Sequence, residues 1–210
     1  MILSDHTYRR LRRFHALTGL VPVGAFLIAH YAINLTAFSG PEAFDHTVEK
    51  LSRLPGMRWI EILVIGLPIA AHVVLGAMLG NTQQALVGPH GYPRDWMLPL
   101  QRGTGIYLTV YLVFHVWSVR LAPHHLAGRS DRFGLMSQQL HNPVIFSFYA
   151  LAVLAACAHL SLGLVGFARH WGLAARPRAE RTLARAGGAA FLLLSAAGIS
   201  AMAAFVSHAP

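Results

Sequence analysis

A single cysteine, Cys157, stands in the 210-residue chain, and it lies within an apolar run. One sulfur makes no intramolecular disulfide and cannot hold an iron–sulfur cluster, so any such cluster belongs to another subunit. Charge is equally scarce: 12% of the residues are charged, with 8 Asp or Glu against 17 Lys or Arg. Together with 55% hydrophobic residues and a mean hydropathy of +0.48, that scarcity excludes an ordinary soluble domain and places the chain in the membrane class. The net charge of +9 does not mark a nucleic-acid binder, because the basic residues fall between apolar runs and do not line one amphipathic surface. No glycine-rich flavin-binding motif is present either, so the chain carries no flavin chemistry of its own.

What the sequence does have is five apolar runs, over 16–38, 60–79, 103–121, 143–167 and roughly 186–206. Each is long enough to cross a bilayer, so the expected fold is all-α, an integral membrane bundle of five transmembrane helices forming one domain over 1–210. Arg9, Arg10, Arg12 and Arg13 ahead of the first run imitate a signal peptide, but the run is too long and no small-residue cleavage site follows, so it reads as a retained helix. The charged connection over 39–58 is long enough for a short surface helix, and residues 80–102 and 122–142 read as polar connections. Pro68, four residues before His72, is a place for a kink. His124, His125 and His141 lack carboxylates or thiols at ligand spacing and read as solvated loop residues. Eleven Lys and Arg fall on the side of the N-terminus, from Arg9 to Arg13, at Arg94 and Arg102, and from Arg169 to Arg185, against six on the other. The excess predicts a cytoplasmic N-terminus and an external C-terminus.

Four of the runs each carry one internal histidine: His30, His72, His115 and His159. A polar side chain in hydrocarbon must find a partner, so such residues face the bundle interior and mark function. One alone reads as a core histidine bonded to a carbonyl, but one on each of four spans is a pattern. His30 and His115 lie about 3 residues past their run midpoints and His72 and His159 about 3 to 4, or roughly 4–6 Å at the helical rise. Because successive spans alternate in direction, His30 and His115 share one depth and His72 and His159 another, the two levels being about 8–10 Å apart. Facing imidazoles at one depth suit a six-coordinate haem iron, so two such pairs fit two haems, one toward each leaflet. Gly76 and Gly163 follow two of these histidines by four residues, where they either clear space for a macrocycle or pack helices.

Further motifs give these histidines a context. They are Arg12-Arg-Phe-His15, Gly-Leu-Val-Pro-Val-Gly over 19–24, Glu61-Ile-Leu through Leu67-Pro68 to His72, Gln101-Arg102-Gly-Thr-Gly105, His115-Val-Trp117, His159 with Gly163, Trp171-Gly172 and Pro177-Arg178. In ligand order, spacing and helix count, from about residue 8 to the end of the fifth span, the chain resembles the five-helix di-haem cytochrome b anchor subunit of succinate:quinone oxidoreductase, the membrane part of succinate dehydrogenase or fumarate reductase.

The resemblance implies two haem b groups, the proximal one ligated by His72 and His159 and the distal one by His30 and His115. It implies a flavoprotein subunit and an iron–sulfur subunit docked on the cytoplasmic side, and electron transfer between them and membrane quinone, with menaquinone favoured. The dicarboxylate chemistry then belongs to the partners. His15, Arg102 and His170 are candidates for the haem propionates, or else headgroup anchors; His170 stands where the family often has lysine. Glu61 reads as the one carboxylate in or near a span, at the outer end beside the distal haem, where a proton acceptor suits quinol oxidation; alternatively it pairs with Arg58. Position 157 is Cys and not an acid, so no transmembrane proton carrier is read there. Two other readings stay open at this point: the cytochrome b subunit of a hydrogenase or formate dehydrogenase, and a haem-free anchor or transporter.

Overall fold

The computed structural model describes residues 3–82, 96–122 and 131–208, and every regular element among them is helical. In chain order these are α1 (Asp5–Ser39), α2 (Pro41–Ser52), α3 (Met57–Gly80), α4 (Met97–Leu121), α5 (Arg132–Leu140), α6 (Pro143–His170) and α7 (Pro177–Ser207). Five of them, α1, α3, α4, α6 and α7, are long and apolar enough to cross a membrane.

Several spanning helices begin before their apolar runs do. The basic lead-in through Arg9 and Arg13 is continuous with α1, α4 starts at Met97 rather than near 103, and α7 starts at Pro177 rather than near 186. Backbone hydrogen bonding does not stop at a hydrophobic boundary, and arginines on the extra turns can reach water along their stems. The extension corrects one expectation: Asp5 and Glu180 also lie on spanning helices, so Glu61 is not the single carboxylate there.

Two prolines inside the spans coincide with π-turns. Pro22 lies within a π-turn over Gly19–Val23, and Pro68 follows one over Ile60–Gly66. A proline ring crowds the carbonyl four residues earlier, and the wider turn makes room for it.

α1 packs along α3, α4 along α6, and α7 lies against both α6 and the second half of α1, whereas α3 and α4 touch only slightly. α2 and α5 each follow an odd-numbered span and so share one end of the bundle. There Phe44, Phe133 and Phe205 meet with ring centres 4.9 to 6.1 Å apart, closing the end with an aromatic cluster. The segment carrying α5 is more than the polar connection its composition suggests, because Phe133, Met136 and Leu140 recur at helical spacing and are buried. Asp45 of α2 fixes its start, accepting the N–H groups of Arg132 at 3.0 Å and Phe133 at 2.9 Å. Those are donors that the first turn of a helix cannot satisfy itself.

Candidate functional site

Each intramembrane histidine comes from its own helix: His30 from α1, His72 from α3, His115 from α4 and His159 from α6. The structure brings His30 against His115, ring centres 5.9 Å apart and planes at 83°, and His72 against His159, 6.0 Å apart and at 86°. Since α1 packs with α3 and α4 with α6, each couple joins the two helical hairpins across the bundle. A metal–nitrogen bond of about 2 Å on each side, plus about 1 Å from each nitrogen to its ring centre, separates two axial imidazoles by roughly 6 Å. The donor set and its spacing fit a haem iron in both couples.

Hydrogen bonding orients three of the rings. His72 donates Nδ1–H to the carbonyl of His15 at 2.9 Å, His159 to the carbonyl of Gln101 at 3.1 Å, and His115 to the hydroxyl of Tyr149 at 3.2 Å. An imidazole whose Nδ1 carries the proton keeps the Nε2 lone pair for a metal, which is how ligating histidines are held. The two carbonyl-held rings sit in matching cradles. Around His72 these are the carbonyl of His15, the hydroxyl of Thr18 at 3.4 Å and Gly19; around His159 they are the carbonyl of Gln101, the hydroxyl of Thr104 at 3.1 Å and Gly105. A β-carbon at Gly105 would lie 3.1 Å from His159 Cε1, and one at Gly19 would overlap the His72 ring. The side-chain amide of Gln101 lies 3.4 Å from His159 Nε2, and its Oε1 is buried with no hydrogen-bond partner, so this side chain must turn aside for an iron to be bound there. Sequence reasoning missed Thr18, Gly19, Gln101, Thr104, Gly105 and Tyr149 as parts of the site; the recurring Thr-Gly pair on α1 and α4 was the available signal.

The succinate dehydrogenase cytochrome b558 subunit of Bacillus subtilis (strain 168) is 37% identical over 195 residues, spanning 93% of this chain and 96% of that protein. The chain belongs to the succinate dehydrogenase cytochrome b family. It is thereby a complex II membrane anchor, and the hydrogenase and formate dehydrogenase alternative falls away. No protein-family model matches the chain, and no solved structure does.

In this cytochrome b family member, the residues first read as propionate contacts gather at the end of the bundle nearer His72 and His159. His15 stacks on His72, centres 3.9 Å apart and planes 12° apart, with its ring against Gly76 and its Nδ1 buried without a hydrogen-bond partner. Gly76 thus accommodates His15, while a β-carbon added at Gly163 would stand 3.7 Å from the amide nitrogen of Gln101. Arg102 follows Gln101 on α4, and His170 ends α6, where its carbonyl accepts from Nε of Arg13 at 2.9 Å. Arg13 also lies over the ring of Trp171, 5.8 Å from its centre, and Arg169 pairs with Glu180 at 2.6 Å.

Glu61 pairs with Arg120 of α4 at 2.9 Å, and not with Arg58. The helix changes to a π-turn at Ile60, and with i→i+5 bonding a residue three positions away no longer shares a face. Arg120 lies on a π-turn too, over Trp117–Leu121. Cys157 is fully buried, with its sulfur 3.7 Å from the hydroxyl of Tyr31. Of the loop histidines, His141 directs Nδ1 at the carbonyl of Ser137 at 2.7 Å; His124 and His125, like Arg94, lie outside the described residues.

Proposed function

We propose that the chain holds two b-type haems, a proximal one between His72 and His159 and a distal one between His30 and His115, and that it serves electron transfer between a partner iron–sulfur subunit and membrane quinone. Bis-histidine iron exchanges single electrons and leaves no coordination position open to oxygen. The observation that carries the reading is the pair of histidine couples, each at the separation that one shared metal requires. The B. subtilis relative, by name a cytochrome b558 subunit of succinate dehydrogenase, supports haem b here and a flavoprotein and an iron–sulfur protein as partners.

This chain's own residues hold and aim the ligands. The carbonyls of His15 and Gln101 keep the Nδ1 protons of His72 and His159, while Gly19 and Gly105 leave the space in which those rings stand. The end of the bundle with His15, Arg102 and His170 carries the basic residues of α1, α6 and α7, which supports a cytoplasmic N-terminus, an external C-terminus and the iron–sulfur partner on that side. His15, Arg102 and His170 are then the residues placed to meet propionates. Glu61 and Arg120 stand toward the opposite face, and Glu61 accepts a proton as quinol, menaquinol being favoured, gives up electrons beside the distal couple.

The test is a redox titration of the visible absorbance of the assembled complex, wild type and with His30→Ala or His72→Ala. Each substitution is expected to remove chiefly one of two haem components, distal for His30 and proximal for His72. A colourless protein, or equal loss of both components from either change, refutes the pairing.

A further inference from the structure

Two of the four candidate ligands are held at Nδ1 by backbone carbonyls, but His115 is held by a side chain. Its Nδ1–H points at the hydroxyl of Tyr149, 3.2 Å away on α6, and that phenol in turn donates to Oε1 of Gln139 on α5 at 3.2 Å. Because the phenol's proton is committed to Gln139, its oxygen presents a lone pair to His115, and donating outward strengthens it as an acceptor. Tyr149 is buried at 3% exposure, wedged edge-on against His115, Tyr111 and Phe114 with ring centres 5.2 to 6.2 Å away. A second hydroxyl, that of Tyr111, lies 3.4 Å from the same nitrogen, but its ring stacks on the imidazole with planes 16° apart. That stacking sets the Tyr111 oxygen off the direction of the in-plane N–H, so Tyr149 is the acceptor.

We propose that Tyr149, held by Gln139, is a positioning residue that sets the reduction potential of the distal haem through Nδ1 of His115. The inference rests on the assignment of His30 and His115 as its ligands. An acceptor at Nδ1 increases the electron density that the imidazole gives to iron, which favours the ferric state and lowers the potential. The relay also ties the distal site to α5, a helix pinned at its start by Asp45 and by Phe133 in the aromatic cluster, and along its length by the buried Met136 and Leu140. α6 therefore carries a ligand of one couple at His159 and the orienting group of the other at Tyr149.

The experiment is a potentiometric titration of both haem components in the assembled complex, comparing wild type with Tyr149→Phe, Tyr111→Phe and Gln139→Leu. Tyr149→Phe keeps the ring and removes one oxygen. It is expected to increase the reduced-to-oxidised ratio of the distal component about tenfold at fixed ambient potential, which for one electron is about 59 mV upward. Gln139→Leu shifts the same component in the same direction by less, and Tyr111→Phe leaves it in place. An unmoved distal component in Tyr149→Phe, a shift shared by both components, or a shift in Tyr111→Phe instead overturns the proposal. If Tyr149→Phe fails to assemble, Gln139→Leu decides it, an unmoved distal component there counting against the relay. Failure of the underlying assignment is seen separately, as survival of the distal component in His115→Ala.

Discussion

Gly19 of α1 lies under the imidazole of His72 so closely that an added β-carbon would stand 2.8 Å from Nδ1 and 3.1 Å from Nε2, and nearer still to Cε1. Its counterpart Gly105 has 3.1 Å to Cε1 of His159. Gly19→Ala must therefore displace the His72 ring, whereas Gly105→Ala asks its neighbour to give by a few tenths of an ångström. The expected outcome is loss of most of the proximal haem from Gly19→Ala with the distal haem retained, and a milder loss from Gly105→Ala, with overpacking costing about 1–3 kcal/mol. Haem content by pyridine haemochrome, with the two components resolved by redox titration, checks the order; equal effects from the two changes would contradict it.

The Glu61–Arg120 ion pair is half exposed, at 36% and 50%, and such pairs contribute roughly 0–1 kcal/mol to stability. Substituting either residue should leave the melting temperature and both haem spectra nearly unchanged. Glu61→Gln is nonetheless expected to lower turnover with a menaquinol analogue by about a hundredfold or more, the usual contribution of a positioned proton acceptor. Full turnover in Glu61→Gln would remove Glu61 from the reaction.

Asp45 caps α5 from another helix, and Asp45→Ala, which strips the acceptor from two backbone N–H groups, should destabilise that end of the bundle by about 1 kcal/mol. Asp45→Asn retains the acceptor. Burial pushes the Asp45 carboxyl above the ordinary aspartate range, against the two backbone donors that pull it down. A raised value means that the fold favours the protonated form. The group's contribution is therefore full below its unfolded value and declines as pH rises through the folded one. Asp45→Asn should accordingly melt at or above the wild type at pH 7, with the difference closing as the pH falls below about 4, the ordinary aspartate range. Thermal unfolding in detergent at both pH values measures this, and a gap that widens in acid would be the wrong sign.

Cys157 is enclosed completely, with Tyr31 over its sulfur. A thiol without solvent access is inert, so maleimide should label it only after the bundle opens. Labelling that tracks the melting curve is the expected result; rapid labelling of the native protein would show the α1, α6 and α7 seam to be looser than described.

The sequence alone settled what depends on composition and on spacing along single helices. Five apolar runs on a chain poor in charge leave few other folds, because hydrocarbon forces backbone hydrogen bonds inside each segment. The depth of each histidine follows from the fixed rise per residue, so which two share a level was legible before any coordinates. The tertiary structure decided what depends on how helices are rotated and where they touch. The π-turn at Ile60 turned Glu61 from Arg58 to Arg120, and the apolar face of α5 became a buried lid because Phe44 and Phe205 arrived from elsewhere. The carbonyls of His15 and Gln101 and the hydroxyl of Tyr149 found their imidazoles across helix interfaces. A backbone carbonyl has no signature in sequence, and a side chain's partner on another helix is fixed only when packing sets the rotation of both.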